Sequence, residues 1–178
     1  MTDTQKLEYE LMKILEGCES TSYVCTSGKV SVGVGFNMQQ VAAEVIWNEL
    51  GIKEDFNDVY QGVQEISDDT SFKLFEYFWE NICEGAVILR CAELELDYHS
   101  MPDWKKFILK DIVYNVGSIK KWRKVLVETT PNKVLYEARR RPHKLMDSRV
   151  AKIAKFYGFI DTVEDAKELG LIYAKYVQ

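Results

Sequence analysis

The stretch EGCESTSYVCTSGKVSVGVGFNM, residues 16–38, is where the pattern of the chain changes from helical to extended. β-branched and aromatic residues dominate residues 22–36, and Ser27-Gly28 within them is a turn signal. We therefore predict a small antiparallel hairpin over residues 22–36. Alternation along its second strand sends two sets of residues to opposite faces: Ser31, Gly33 and Gly35 to one, and Val30, Val32, Val34 and Phe36 to the other. We expect the glycine face to leave room for a ligand near the backbone.

A helical pattern precedes the hairpin. Residues 4–16 carry apolar side chains on one face at helical spacing, and Gly17 then stops the helix. Glu16 lies at the C-terminal end of this helix, where the helix dipole disfavours a carboxylate. That position hints at a function for Glu16, although a solvated surface acid is the ordinary alternative.

The rest of the chain has a helical period nearly to its end. We predict a helix that ends at Gly51, a long helix over about residues 68–90 and a helix from near Pro102 to near Gly117. Shorter helices are predicted around residues 118–128, 131–140, 147–157 and 162–174. One helix, a small hairpin and then many helices are typical of an α+β fold with segregated elements, and 178 residues are enough for one domain.

The charge of the chain is acidic overall and uneven along its length. A net charge of −5 and a pI near 5.2 argue against a nucleic-acid partner, because phosphate binding depends on clustered lysine and arginine. Residues 105–155 nevertheless carry fifteen lysines and arginines. Such a stretch favours an anionic surface such as a bacterial wall polymer, and solvated helix faces explain it equally well.

The compartment is suggested by what the sequence lacks. It opens with no basic and apolar leader, and no apolar run is long enough to cross a membrane. We therefore expect a protein that is made in the cytosol, does not insert into the membrane, and needs another route to act outside it. In the cytosol its four cysteines are expected to be free thiols: Cys18, Cys25, Cys83 and Cys91.

Motifs for metals and nucleotides are also missing. The only histidines, His99 and His143, have no metal-ligand spacing beside them. The Gly33 and Gly35 pair lacks the third glycine and the following helix of a dinucleotide site. We expect neither a metal nor a cofactor.

Taken together, the residues of this hairpin resemble a motif of the phage T4-type lysozymes (endolysins), glycoside hydrolase family 24. The family pattern begins with Glu-Gly at a helix end. Eight residues separate the Glu from an Asp or Cys, five separate that residue from a Thr, and Gly-x-Gly follows. The matching positions here are Glu16-Gly17, Cys25, Ser31, Gly33 and Gly35.

Other segments resemble the same family in the same order. ISDDTSFKLFEYF, residues 66–78, is similar to the start of its long connecting helix, and AVILRCAELELDYHSM, residues 86–101, to the end of that helix and the following loop. DIVYNVG, residues 111–117, resembles a Phe-Asn-x-Gly segment, and DSRVAKIAKF, residues 147–156, a late Asn-Arg helix. The resemblance covers about residues 5–158.

The resemblance implies a lysozyme-like domain over residues 1–178. Its parts would be a small β-containing lobe over about residues 17–66, a connecting helix over about 68–90, and a larger helical lobe over about 91–178 that includes the N-terminal helix 4–16. The implied protein is a monomeric muramidase. It would bind peptidoglycan, without nucleic acid or membrane insertion, and would act on the cell wall after release from the host cytoplasm.

The resemblance also implies roles for individual residues. Glu16 would be the general acid for cleavage of the β-1,4 bond between N-acetylmuramic acid and N-acetylglucosamine, with Cys25 and Ser31 across the scissile bond. For the substrate-binding set, the matching residues are Tyr114, Asn115 and Arg149. Partial burial of Glu16 would hold its proton near neutral pH.

Four positions carry residues other than the usual ones of the family. Cys25 replaces the usual carboxylate, and we expect its thiol to be mostly neutral, since a free thiol has a pKa of about 8.5 and the Glu16 charge would raise it. Ser31 keeps the hydroxyl of the usual Thr but loses its methyl group. Phe36 and Phe78 stand where the family has His and Asp, so we expect their rings to touch.

Plainer explanations exist for each residue. Cys25 could be a small packing residue, Ser31 an ordinary strand serine, and Glu16 or Arg149 a solvated charge. Tyr114 and Asn115 could be a core aromatic and a helix-end amide.

Two other functions therefore stay open. One is a lysozyme-fold module that binds glycan or protein without catalysis. The other is a cysteine amidase or protease that uses Cys25 with His99 or His143.

Overall fold

The computed structural model describes residues 2–139 and 144–168 of the chain. Within them the fold is α+β, as predicted, with mostly helical structure and one small three-stranded antiparallel sheet. Two compact units divide between Phe78 and Trp79. None of the described helices combines the length and the apolar composition needed to cross a membrane. His143 and the end of the helix predicted over 162–174 lie outside the described residues.

The first unit contains the sheet and four helices. Its elements are α1 (Asp3–Glu16), β1 (Glu19–Val24), β2 (Val30–Gly33), β3 (Phe36–Asn37), α2 (Ala43–Glu49), α3 (Phe56–Tyr60) and α4 (Asp68–Glu76). The described residues of the second unit form helical segments. A π-helical segment (Tyr77–Glu84) spans the division, and α5 (Gly85–Glu93), α6 (Asp103–Val116), α7 (Arg123–Val127), α8 (Pro131–Ala138), α9 (Lys144–Phe156) and α10 (Val163–Glu168) follow.

Helix α1 has strong signals at both ends. Thr2 caps its first turn in a reciprocal capping box with Gln5, which satisfies backbone N–H groups that the helix leaves open. Gly17 ends it with a φ of 82°, donating its N–H to Lys13 O over 2.9 Å. Its Tyr9 ring packs edge-on against Phe72 of α4, with centroids 5.2 Å apart. Helix α1 therefore falls in the first unit, whereas the sequence analysis grouped it with the helical lobe.

The predicted hairpin is present and is extended by a third strand. β1 pairs with β2 in antiparallel register, Tyr23 opposite Ser31. The turn closes where Gly28, with a φ of 79°, donates its N–H to Cys25 O. β3 adds two residues to the far edge of β2. The valine face of β2 packs into the core of the first unit, which centres on Val32, Phe36, Trp47, Val59 and Leu74.

The long predicted helix corresponds to three consecutive segments, α4, the π-helical segment and α5. Ser67 starts α4 by accepting the Thr70 N–H with its side chain, 3.1 Å away. The sequence did not predict the π-helical turns over Tyr77–Glu84. The spacing of apolar residues over so short a segment does not distinguish an α-helix from a π-helix.

Helix α6 organises the second unit. It carries eight buried residues, among them Phe107 and Leu109, and ends as predicted at Gly117, which has a φ of 71°. One of its buried residues is Lys105, whose ammonium donates to the backbone oxygens of Leu126 and Glu128 at 2.7 and 2.6 Å. This lysine satisfies carbonyls at the end of α7 and burial lowers its pKa.

Candidate functional site

Glu16 is the last residue of α1, and its side chain is exposed. The burial that the sequence analysis required for a proton-holding acid is therefore not supplied by the protein around Glu16. The helix end nevertheless brings Glu16 toward the hairpin. Burial raises the pKa of Tyr23, and the negative charges of Cys25 and Glu16 raise it further. The charges of Glu16 and Cys25 thus both raise the pKa of the Tyr23 phenol, a residue that the sequence analysis did not single out.

Cys25 occupies the start of the hairpin turn, where it is half-buried. Its sulfur lies 3.0 Å from the Ser27 hydroxyl. Hydrogen bonds from that hydroxyl and from the backbone of Lys29 and Ser27 lower the pKa of the Cys25 thiol to about 7, outweighing a small opposing effect of burial. The expectation of a raised thiol pKa was wrong, because donors within the turn dominate over the Glu16 charge. About half of the thiol is ionised near pH 7.

Ser31 lies on β2, opposite Tyr23 of β1. Its side chain is 3% exposed, and its hydroxyl also lowers the pKa of the Cys25 thiol. The structure therefore brings together two of the three predicted catalytic residues, Cys25 and Ser31. It adds Ser27, which the analysis treated only as a turn residue. Ser27 lies two residues after Cys25, and a serine at this spacing in a turn can form a local hydrogen bond, which is the signal that could have predicted its role.

The glycine face of β2 is covered by protein. A Cβ on Gly33 would lie 2.7 Å from the Ser71 Oγ of α4, and Gly33 has a φ of 61°. The Ser71 hydroxyl also lies 3.3 Å from the Cys18 sulfur. The prediction that a ligand has room at Gly33 was wrong, because Ser71 of α4 occupies the space that a side chain on residue 33 would fill. Gly35, by contrast, is exposed.

The two aromatic replacements meet as predicted. Phe36 and Phe78 have ring centroids 5.9 Å apart and ring planes at 79°, an edge-to-face contact. Both residues belong to the first unit. The contact is the one that the sequence analysis expected between these two positions.

The predicted substrate-binding residues lie in the second unit. Tyr114 is half-buried with its ring against Trp79, centroids 6.1 Å apart. Asn115 is exposed and donates its side-chain amide to the backbone oxygen and the carboxylate of Asp111, at 2.9 and 3.2 Å. The Arg149 guanidinium binds the same carboxylate through Nε, 3.2 and 3.1 Å from its two oxygens, and through Nη2.

Asp111 is thus the residue that joins Asn115 and Arg149. The sequence analysis missed it, although the spacing of four between Asp111 and Asn115 on one helix favours such a hydrogen bond. Both ends of the Asp111–Arg149 ion pair are largely withdrawn from water, with side-chain exposures of 9% and 11%. A buried, bidentate pair of this kind fixes the direction of the guanidinium.

A cavity of about 260 Å³ opens beside this ion pair. Asp111, Asn115 and Arg149 form its polar wall, and we call it the Asp111 pocket. Its apolar walls come from three helices and one aromatic residue: Ile108, Ile112, Val116, Trp122, Ala138, Val150 and Ile153.

Among the described residues, one histidine and three further cysteines remain to be placed. His99 is exposed in the second unit, where its ring contacts Tyr98. All four cysteines are free thiols, as expected, and Cys83 and Cys91 are buried. Within residues 2–139 and 144–168, no three His, Cys, Asp or Glu side chains are grouped so that they could hold a metal ion.

The chain matches no protein-family model, and no curated protein matches it. The case for a function therefore rests on the residues and on their geometry.

Proposed function

We propose that the chain is a peptidoglycan hydrolase, a muramidase that cleaves the β-1,4 bond between N-acetylmuramic acid and N-acetylglucosamine. The observation that carries the proposal is the convergence of Glu16 and the low-pKa Cys25 on Tyr23. Glycoside cleavage requires an acid and a second group that handles the positive charge at the anomeric carbon, and Glu16 and Cys25 supply a carboxyl group and a thiolate near the same side chain. The lysozyme-like arrangement of a small β-containing lobe and a larger helical lobe, implied by the resemblance, is part of the same proposal.

In this mechanism Glu16 protonates the glycosidic oxygen as the bond to the anomeric carbon breaks. Glycan laid over the exposed carboxyl excludes water from the reacting atoms. The departing sugar takes the proton, and water completes the hydrolysis at the anomeric carbon. Glu16 regains a proton from solvent.

The Cys25 thiolate supplies the negative charge that a neutral thiol lacks. It faces the positive charge that develops on the sugar ring as the leaving group departs. Ser31 and Ser27 stabilise this thiolate with their hydroxyl groups. The proposed activity therefore rises as Cys25 ionises, so long as Glu16 still delivers its proton.

The proposed protein is a monomer that acts on the cell wall after its release. In it, Asn115 and Arg149 bind the glycan. The Asp111 ion pair holds Arg149 in one direction, which reduces the entropy lost when a substrate group binds there.

The test is digestion of purified peptidoglycan with mass spectrometry of the products. We expect fragments with muramic acid at the reducing end from the wild type, and their loss in Glu16→Gln. Glu19→Gln is the matched control, since Glu19 is an exposed acid that also acts on Tyr23. Equal cleavage by Glu16→Gln and wild type would contradict the assignment of the acid.

The products also separate the other functions. Binding to peptidoglycan without cleavage by the wild type would favour a non-catalytic module. Release of free peptide, blocked in Cys25→Ala, would favour an amidase.

A further inference from the structure

The Asp111 pocket combines a polar wall of zero net charge with apolar surroundings. Asp111 and Arg149 cancel each other's charge through a bidentate contact. Asn115 adds a neutral amide whose nitrogen is committed to Asp111. A charged ligand group would lose its hydration here without gaining an opposite net charge, so the pocket favours a neutral one.

The Asn115 amide is oriented by these hydrogen bonds. Because its nitrogen points to Asp111, its oxygen is the atom that can accept a hydrogen bond from a ligand. The remaining walls are aliphatic and aromatic, including Ile112 and Ile153, which are 4% and 2% exposed. A ligand group suited to both walls has an N–H donor and an apolar end.

We propose that the Asp111 pocket binds the acetamido group of an N-acetylated sugar. Its N–H donates to the Asn115 amide oxygen and its methyl group lies against the aliphatic wall. The volume of about 260 Å³ accommodates this group together with an edge of the sugar ring. The choice of an N-acetylated sugar as the ligand rests on the proposed function. The inference assigns recognition of the acetamido group to a pocket of the second unit.

The test uses the full chain carrying Glu16→Gln, so that cleavage does not consume the ligand. NMR spectra are recorded during titration with chitotriose and, separately, with cellotriose, which has the same β-1,4 linkage and a hydroxyl in place of each acetamido group. We expect the methyl signals of Ile112 and Ile153 and the side-chain amide of Asn115 to shift with chitotriose only.

Two variants change the pocket in different ways. Ala138→Leu fills part of the cavity, and Asn115→Leu removes the acceptor from an exposed position. Each is expected to weaken chitotriose binding about fivefold to tenfold, the effect of one lost hydrogen bond or of blocked access. Asn132→Leu, an exposed amide on α8 outside the pocket, is the control and should bind like its parent.

The outcomes separate this inference from the proposed function. Equal shifts with both sugars, no shifts at the pocket, or unchanged binding by Asn115→Leu would overturn it, even if the wild type cleaves peptidoglycan. If Ala138→Leu fails to fold, the Asn115 variant decides. Pocket shifts with chitotriose alone would support it, even if the wild type proves inactive in digestion.

Discussion

Phe36 and Phe78 meet edge to face, with ring centroids 5.9 Å apart. Phe36 is 5% exposed and packs into the core of the first unit, while Phe78 is half-buried. The contact joins two residues that are 42 positions apart in the chain. An edge-to-face pair contributes about 0.5–1.5 kcal/mol beyond the area that it buries.

A double-mutant cycle of Phe36→Leu and Phe78→Leu should therefore show coupling of about 0.5–1.5 kcal/mol in the free energy of unfolding. Denaturant unfolding of the two single variants and the double variant measures it. The control is a second cycle of Phe36→Leu and Phe72→Leu, since the Phe72 ring packs against Tyr9. In this cycle the losses in the free energy of unfolding should be additive. Additive losses for Phe36 and Phe78 as well would show that the contact carries no energy of its own.

Alkylation of Cys25 should follow its lowered pKa. Since the thiolate is the reactive form, the rate with iodoacetamide should rise with a midpoint near pH 7 and level off above it. Ser27→Ala removes the largest stabilising hydrogen bond and should move the midpoint upward. Thr26→Ala, an exposed hydroxyl in the same turn, should leave it unchanged.

Fragmentation mass spectrometry separates Cys25 from Cys18 in this experiment. Cys83 should stay unmodified in the native protein, because it is 2% exposed and burial raises its pKa to about 12. A Cys25 midpoint near that of a free thiol would contradict the hydrogen bonding of the turn.

Gly33→Ala should destabilise the first unit more than Gly51→Ala. Both glycines have a φ of 61°, so the backbone strain is shared, but only at Gly33 would the new Cβ meet Ser71, at 2.7 Å. We expect Gly33→Ala to cost about 1–3 kcal/mol more than Gly51→Ala in the free energy of unfolding. Thermal or denaturant unfolding gives the difference, and equal losses would show that Ser71 moves aside freely.

Asp111→Leu should destabilise the protein by about 3 kcal/mol, since it leaves the Arg149 guanidinium without its carboxylate in a site that is only 11% exposed. Adding Arg149→Met should restore part of that loss, because two apolar side chains then replace the buried ion pair. Unfolding measurements on the two single variants and the double variant test this. A double variant that is less stable than Asp111→Leu alone would contradict the expectation.

Local signals were sufficient for much of the fold. The end of α1 at Gly17, the turn at Gly28 and the end of α6 at Gly117 were each predicted from a glycine that follows a periodic segment. The observed positive φ angles explain why these glycines stop their elements. Such features depend on residues within a few positions of each other, which a sequence shows directly.

The candidate site was less accessible because its chemistry depends on three-dimensional proximity. The Asp111–Arg149 pair joins residues 38 positions apart, and the approach of Ser71 to Gly33 joins two separate elements. The Cys25 pKa depends on which way the hydroxyl and backbone donors of one turn point. The positions of Cys25 and Ser31 could be matched to a motif, but these orientations could not.

The buried ammonium of Lys105 has a practical consequence for following the protein in solution. Its nitrogen is enclosed by the Leu126 and Glu128 carbonyls, so an amine-acylating reagent reaches it only when α6 and α7 separate. Exposed lysines such as Lys120 react in the native state and provide an internal reference. Acylation at Lys105 relative to Lys120 therefore reports opening of the second unit without an added probe.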